Sequence, residues 1–129
     1  MSRTATAFLV LLLSAPVAGA EVDPYRAFEQ GDYGTALRGF QNLQAKDPGD
    51  LEVLERIGTA HYRLGHFEAA KRAFSQLLER APDSERTKAL YNLANAEVRS
   101  GQLERAMERY REVLNRDPEN EDVAHNLQV

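Results

Sequence analysis

Cysteine and tryptophan are both absent from the 129 residues. Without a thiol there can be no disulfide framework, thiolate nucleophile, cysteine zinc site, c-type haem attachment or lipidated cysteine. Positive charge is not in surplus either: 16 Lys and Arg face 20 Asp and Glu, a formal net charge of −4. That balance argues against nucleic acid as a partner, because phosphate contacts need clustered cations. The chain also lacks H-E-x-x-H, a glycine-rich phosphate loop and a G-x-S-x-G elbow. No stretch alternates with period two over a strand's length. Long apolar runs are missing as well. The uncharged run Thr4 to Ala20 is 17 residues and holds Pro16, short of the roughly 20 residues of a membrane-spanning helix.

That same run reads as an export signal. Arg3 gives a short positive start, Ala7 to Ala15 an apolar core, and Ala18-Gly19-Ala20 a small-x-small cleavage site behind Pro16. Residues 1–20 are therefore expected to be a signal peptide, residues 21–129 the mature domain, and the periplasm its location, with no membrane insertion after cleavage. A cysteine-free chain suits an oxidising compartment, where it runs no risk of misplaced disulfides.

The mature part repeats itself. Gly31-Asp32-Tyr33, Gly65-His66-Phe67 and Gly101-Gln102-Leu103 recur at spacings of 34 and 36 residues. Four further columns stay in register: Ala36, Ala70 and Ala106; Phe40, Phe74 and Tyr110; Leu43, Leu77 and Val113; Pro48, Pro82 and Pro118. Each column has a mechanical role. Glycine permits a left-handed turn between helices, and alanine lets the second helix press against the first. The aromatic and aliphatic residues four and seven positions later share its face, and proline ends the unit. An all-α chain of helix pairs is predicted.

The pattern resembles the tetratricopeptide repeat, a helix-turn-helix unit of 34 residues. That resemblance implies a right-handed α-solenoid of antiparallel helix pairs. Residues 21–50 would form a partial first repeat, opened by Asp23 as N-cap and Pro24 at the first helical position. Residues 51–84 form a complete repeat with Gly58 at the helix crossing. Residues 85–120 form another, with Ala94 at the crossing and Glu85-Arg86 inserted at the start of a helix; residues 121–129 begin a further repeat or a cap. Two positions depart from the pattern. Glu97 occupies a bulky core column shared with His61, and Gly39 interrupts a helix at a cost of about 1 kcal/mol relative to Ala.

No catalytic, cofactor or metal site is expected. The three histidines, His61, His66 and His125, are expected to lie far apart along the solenoid. The carboxylates pair with arginines at helical spacing, as in Glu52 with Arg56, Glu68 with Arg72 and Glu112 with Arg116. Function is left to the inner groove, which the resemblance places on the first helix of each pair. Its columns carry Glu52, Glu55, Arg56, Thr59, Tyr62 and Arg63, then Lys88, Tyr91, Asn92, Asn95, Val98 and Arg99, and finally Asp122, His125, Asn126 and Val129. Lys88, Tyr91, Asn95 and Arg99 fall at i, i+3, i+7 and i+11, on one stripe. Cations, an aromatic face and an amide can hold an extended peptide backbone. Glu55 stands in the column of the lysine that the family's carboxylate clamp requires, which argues against chaperone C-terminal tails as ligands.

The expected function is therefore a non-enzymatic protein-interaction module or scaffold of the bacterial envelope. The last segment has only Val123 and Leu127 as a large buried-side pair, so that end is expected to be frayed, truncated, or covered by a partner or a second copy. The stretches Lys88–Asn95 and Pro118–Leu127 resemble repeat proteins of bacterial aerotolerance (Bat) operons, implying a von Willebrand A-domain envelope protein as partner. The periplasmic repeat segments of cytochrome c maturation proteins are similar too. A structural, self-associating element without a groove ligand is the other class left open.

Overall fold

The structure is a computed structural model that describes residues 22–128; the expected signal peptide and Val129 lie outside them. Among the described residues there are seven α-helices and no strand. They are α1 (Pro24–Glu29), α2 (Tyr33–Lys46), α3 (Leu51–Arg63), α4 (Phe67–Arg80), α5 (Asp83–Arg99), α6 (Leu103–Arg116) and α7 (Glu121–Gln128). Each packs chiefly on its neighbours in the chain, with α3 also touching α5. The result is a right-handed α-solenoid of antiparallel helix pairs.

Local chemistry sets the helix starts. Asp23, Asp32, Asp50 and Asn120 each accept the backbone N–H of a residue two or three positions on, at 3.0–3.2 Å, satisfying donors that the first turn leaves free. Pro24 takes the first position of α1. α2, α4 and α6 each stop two residues before a proline, Pro48, Pro82 and Pro118, and Pro82 caps the longer α5, which absorbs Glu85 and Arg86.

The repeated glycine triplet builds one turn three times. Gly31, Gly65 and Gly101 have φ of 78°, 79° and 82°, and no other described residue has positive φ. After α3, Gly65 N–H donates to the Tyr62 carbonyl at 3.0 Å and His66 N–H reaches back to the His61 carbonyl at 2.8 Å. This is the Schellman pattern. Asp32 N–H to the Ala27 carbonyl and Gln102 N–H to the Glu97 carbonyl repeat it at 2.9 and 2.8 Å.

The other columns make the core. Ala36, Ala70, Ala106, Phe40, Phe74, Tyr110, Leu77 and Val113 are buried, each large side chain contributing about 1.5–3 kcal/mol by leaving water. The core has two clusters meeting on α5: Ala89, Leu93 and Ala96 face back toward α2–α4, while Leu90 and Ala94 face α6 and α7. Leu78 touches both.

Both departures from the pattern have a structural reason. A Cβ on Gly39 would sit 2.6 Å from the Pro24 Cβ, so this glycine is what lets α1 lie against α2 and is not merely a weak point in the helix. Glu97 is 2% exposed, yet its Oε1 accepts from Arg109 Nε at 3.2 Å, so α6 supplies the partner for the buried charge. Two of the expected i,i+4 pairs form, Glu52–Arg56 and Glu112–Arg116, both at 3.8 Å. The third is corrected: Glu68 takes Lys71 at 2.8 Å, because the lysine is one residue nearer and its ammonium also donates to Gln102.

Candidate interaction groove

Side chains of α3, α4 and α5 enclose a recess of about 420 Å³. α3 supplies Thr59, Tyr62 and Arg63, α5 supplies Asn92, Asn95 and Arg99, and Phe67 and Phe74 of α4 form apolar wall. A second recess of about 290 Å³ shares Tyr62, Asn95 and Arg99 and continues past Val98 and Tyr110 to His125 and Asn126 on α7. Together they make one path across α3, α5 and α7. Residues proposed from the sequence line it: Thr59, Tyr62, Arg63, Asn92, Asn95, Arg99, His125 and Asn126. Val98 lines it as well.

The path is electropositive in a chain of negative net charge. Among the described residues, no Asp or Glu lines either recess. Among the described residues, neither Arg63 nor Arg99 has a carboxylate within bridging distance; the Arg99 guanidinium lies over the Phe67 ring at 4.8 Å, and Arg63 over the Tyr33 ring at 5.8 Å. Stacking on an aromatic face holds a guanidinium in place while leaving its edge donors available.

Other residues of the sequence-derived set sit elsewhere, Glu52, Glu55, Arg56, Lys88, Tyr91 and Asp122 among them. Lys88 Nζ is 2.7 Å from Glu55 Oε1, and Lys88 lines a separate recess with Glu52, Glu55 and Arg56. Arg56 lies over the Phe28 ring at 4.9 Å, its charge close to Glu52. Tyr91 lines neither part of the groove; its ring packs 6.3 Å from that of Tyr110 against the second core cluster. The stripe Lys88, Tyr91, Asn95 and Arg99 is therefore split between an ion pair, the core and the groove. Helical spacing fixes the face of one helix and leaves open which part of that face a neighbouring helix covers.

Asn95 has a second duty. It accepts the hydroxyl of Tyr110, tying the groove floor to α6. Burial pushes the Tyr110 hydroxyl up to about 12, against the lowering effect of a hydrogen bond with Asn126. The sequence contains both residues but carries no sign of this link, since the two lie 15 positions apart on different helices.

The expected separation of the histidines is also corrected. His61 Nδ1 and His66 Nδ1 lie 3.4 Å apart, because the turn after α3 folds the chain back on itself; only His125 stands away, on α7. Burial, followed by the nearby His66 and Arg72, holds the His61 imidazole below its ordinary value. Among the described residues, no group of three or more His, Asp or Glu comes together in a way that could hold a metal.

Stacked helix pairs around a polar groove define a repeat scaffold. Two family models described as tetratricopeptide repeat match the chain, one over residues 27–92 and the other over 87–128. The chain belongs to the tetratricopeptide repeat family. That fold is in general a non-catalytic interaction module. Solved structures agree in architecture. The first TPR of Spaghetti (RPAP3), bound to the HSP90 peptide SRMEEVD, superposes with a TM-score of 0.74 at 23% identity, covering 85% of this chain and 94% of that one. The second TPR domain of human RPAP3, in complex with the HSP70 peptide SGPTIEEVD, gives 0.73 at 21% identity, covering 81% and 86%. MamA gives 0.73 at 19% identity, covering 82% and 61%. No curated protein matches the chain by sequence.

Proposed function

We propose that this chain is a non-enzymatic interaction module of the bacterial periplasm that holds an extended, acidic segment of another protein in the groove across α3, α5 and α7. The observation that carries this reading is the pairing of two stacked arginines, Arg63 and Arg99, with Asn92, Asn95 and Thr59 in a path that, among the described residues, no carboxylate lines or bridges. Guanidinium groups bind carboxylates through paired donors, and side-chain amides bond an extended backbone through both donor and acceptor. The residues differ from the family's clamp for chaperone tails, since Glu55 in the clamp lysine's column is paired with Lys88. The expected signal peptide supports the periplasmic setting. Within that setting the resemblance to aerotolerance-operon proteins makes a von Willebrand A-domain protein the first partner class to test, and the cytochrome c maturation machinery the second.

The test is photo-crosslinking in cells with the probe at Asn92, and at exposed Glu108 on the outer helix α6 as control. Asn92 is preferred to Asn95, whose replacement would also release Tyr110. A periplasmic protein captured from Asn92 alone, and lost when Arg63 and Arg99 are changed to Glu, is the expected result. Self-crosslinks, or equal capture from both positions, would overturn the groove reading and favour a self-associating element.

A further inference from the structure

The three interhelical turns share one backbone geometry, so the residues they bring together can be compared directly. In each turn the Schellman bonds place the third residue from the helix end beside the second residue past the cap. The pairs so formed are Ala27 with Asp32, His61 with His66, and Glu97 with Gln102. Three such different pairs occupy the same geometry, so folding does not demand two imidazoles in the middle turn.

Of the three residues at this position only Asp32 caps the following helix through its side chain; Gln102 and His66 do not. Asp32 accepts the Thr35 N–H at 3.2 Å, and Gln102 accepts from Lys71 at 2.8 Å. His66 makes no capping bond to α4 and turns its ring toward His61 instead. The Nδ1 to Nδ1 distance of 3.4 Å is longer than the about 2.7–3.2 Å usual for a nitrogen-donated hydrogen bond. It equals the roughly 3.3–3.4 Å that separates two nitrogens bound at about 2.0–2.1 Å to one tetrahedral metal ion.

We propose that His61 and His66 form a two-nitrogen chelate for a borderline divalent transition metal, Zn²⁺, Ni²⁺ or Cu²⁺, at the turn between α3 and α4. The backbone bond from His66 N–H to the His61 carbonyl, 2.8 Å, holds the two residues' backbones side by side, so the chelate needs no rearrangement of the main chain. His66 is exposed and His61 partly so, which gives the ion a route in and leaves its other positions to water or to a ligand from a partner. Imidazole nitrogen suits these metals, whereas Mg²⁺ and Ca²⁺ prefer oxygen donors. Arg72 is a nearby positive charge that repels any cation, so an ion held there must be held by coordination strength and not by charge.

The test is titration of the full, untagged chain with Ni²⁺ and Zn²⁺, followed by isothermal calorimetry and by the ¹⁵N shifts of the imidazole nitrogens, with circular dichroism as a check on the fold. One ion per chain is expected, moving Nδ1 of both His61 and His66. His61→Gln and His66→Ala should each weaken binding at least tenfold, His125→Ala should leave it unchanged, and Arg72→Gln should tighten it. No binding, binding indifferent to either turn histidine in a variant that keeps its helix content, or loss caused equally by His125→Ala would overturn the site.

Discussion

Tyr110 joins packing to the groove. Its ring fills the core beside Val113 while its hydroxyl is held by Asn95. Ionising it would place a charge in a buried position, so the folded state binds this proton more tightly than the unfolded chain does. The stability this contributes is fully present below the ordinary tyrosine value of 10.0, and is lost as pH rises from there through about 12. A spectrophotometric titration should therefore show a tyrosinate step near pH 12 that disappears in Tyr110→Phe. If every tyrosine titrates near 10, the hydroxyl is not buried in solution. Glu97 is the converse case, a carboxylate kept in the core beside Arg109. Its column and its burial were readable from the repeat, but its partner was not, because Arg109 lies 12 residues away on the next helix.

Where helices cross, space decides more than propensity. Gly58 lies against the Phe74 ring, where a Cβ would meet Cε1 at 2.6 Å, and Gly39 against Pro24 at the same distance. Helix propensity alone favours Gly39→Ala by about 1 kcal/mol. The close approach of α1 reverses that sign. Gly39→Ala is expected to destabilise by up to about 2 kcal/mol net, since overpacking costs about 1–3 kcal/mol against the gain of about 1 kcal/mol, and urea unfolding of the purified domain measures it. A more stable variant would mean that α1 lifts away from α2 at little cost. The caps show the same division: Asp23 reads as a helix start in the sequence, whereas the caps by Asp50 and Asn120 and the turn of His66 toward His61 emerge only in the structure.

Across the whole molecule, stability should follow position along the solenoid, since each helix rests mainly on its neighbours. α3 buries five residues, while α1 buries only Ala27 and α7 only Val123. Amide hydrogen exchange is therefore expected to be fastest in α1 and α7 and slowest in α3 to α5. Protection of α7 equal to that of α4 would show that this end is covered in solution. Long-range polar links run one repeat apart, as in Arg80 to the Pro48 carbonyl at 2.6 Å and Arg116 to Asp83 at 3.0 Å. Being exposed, they add little stability.

The sequence by itself determined the helix pairs, the turn glycines, the core columns and the face on which the groove lies. These follow from spacing and from the backbone limits of glycine and proline, both of which are local properties. Only the tertiary structure decided which residues of that face remain available. Arg63, Asn92 and Arg99 line an open path, Lys88 is taken by Glu55, and Tyr91 packs toward the core. It also brought His61 within 3.4 Å of His66. Each of these outcomes depends on a contact between separate helices or across a turn, and a one-dimensional period fixes the facing of a single helix without fixing what its neighbour covers.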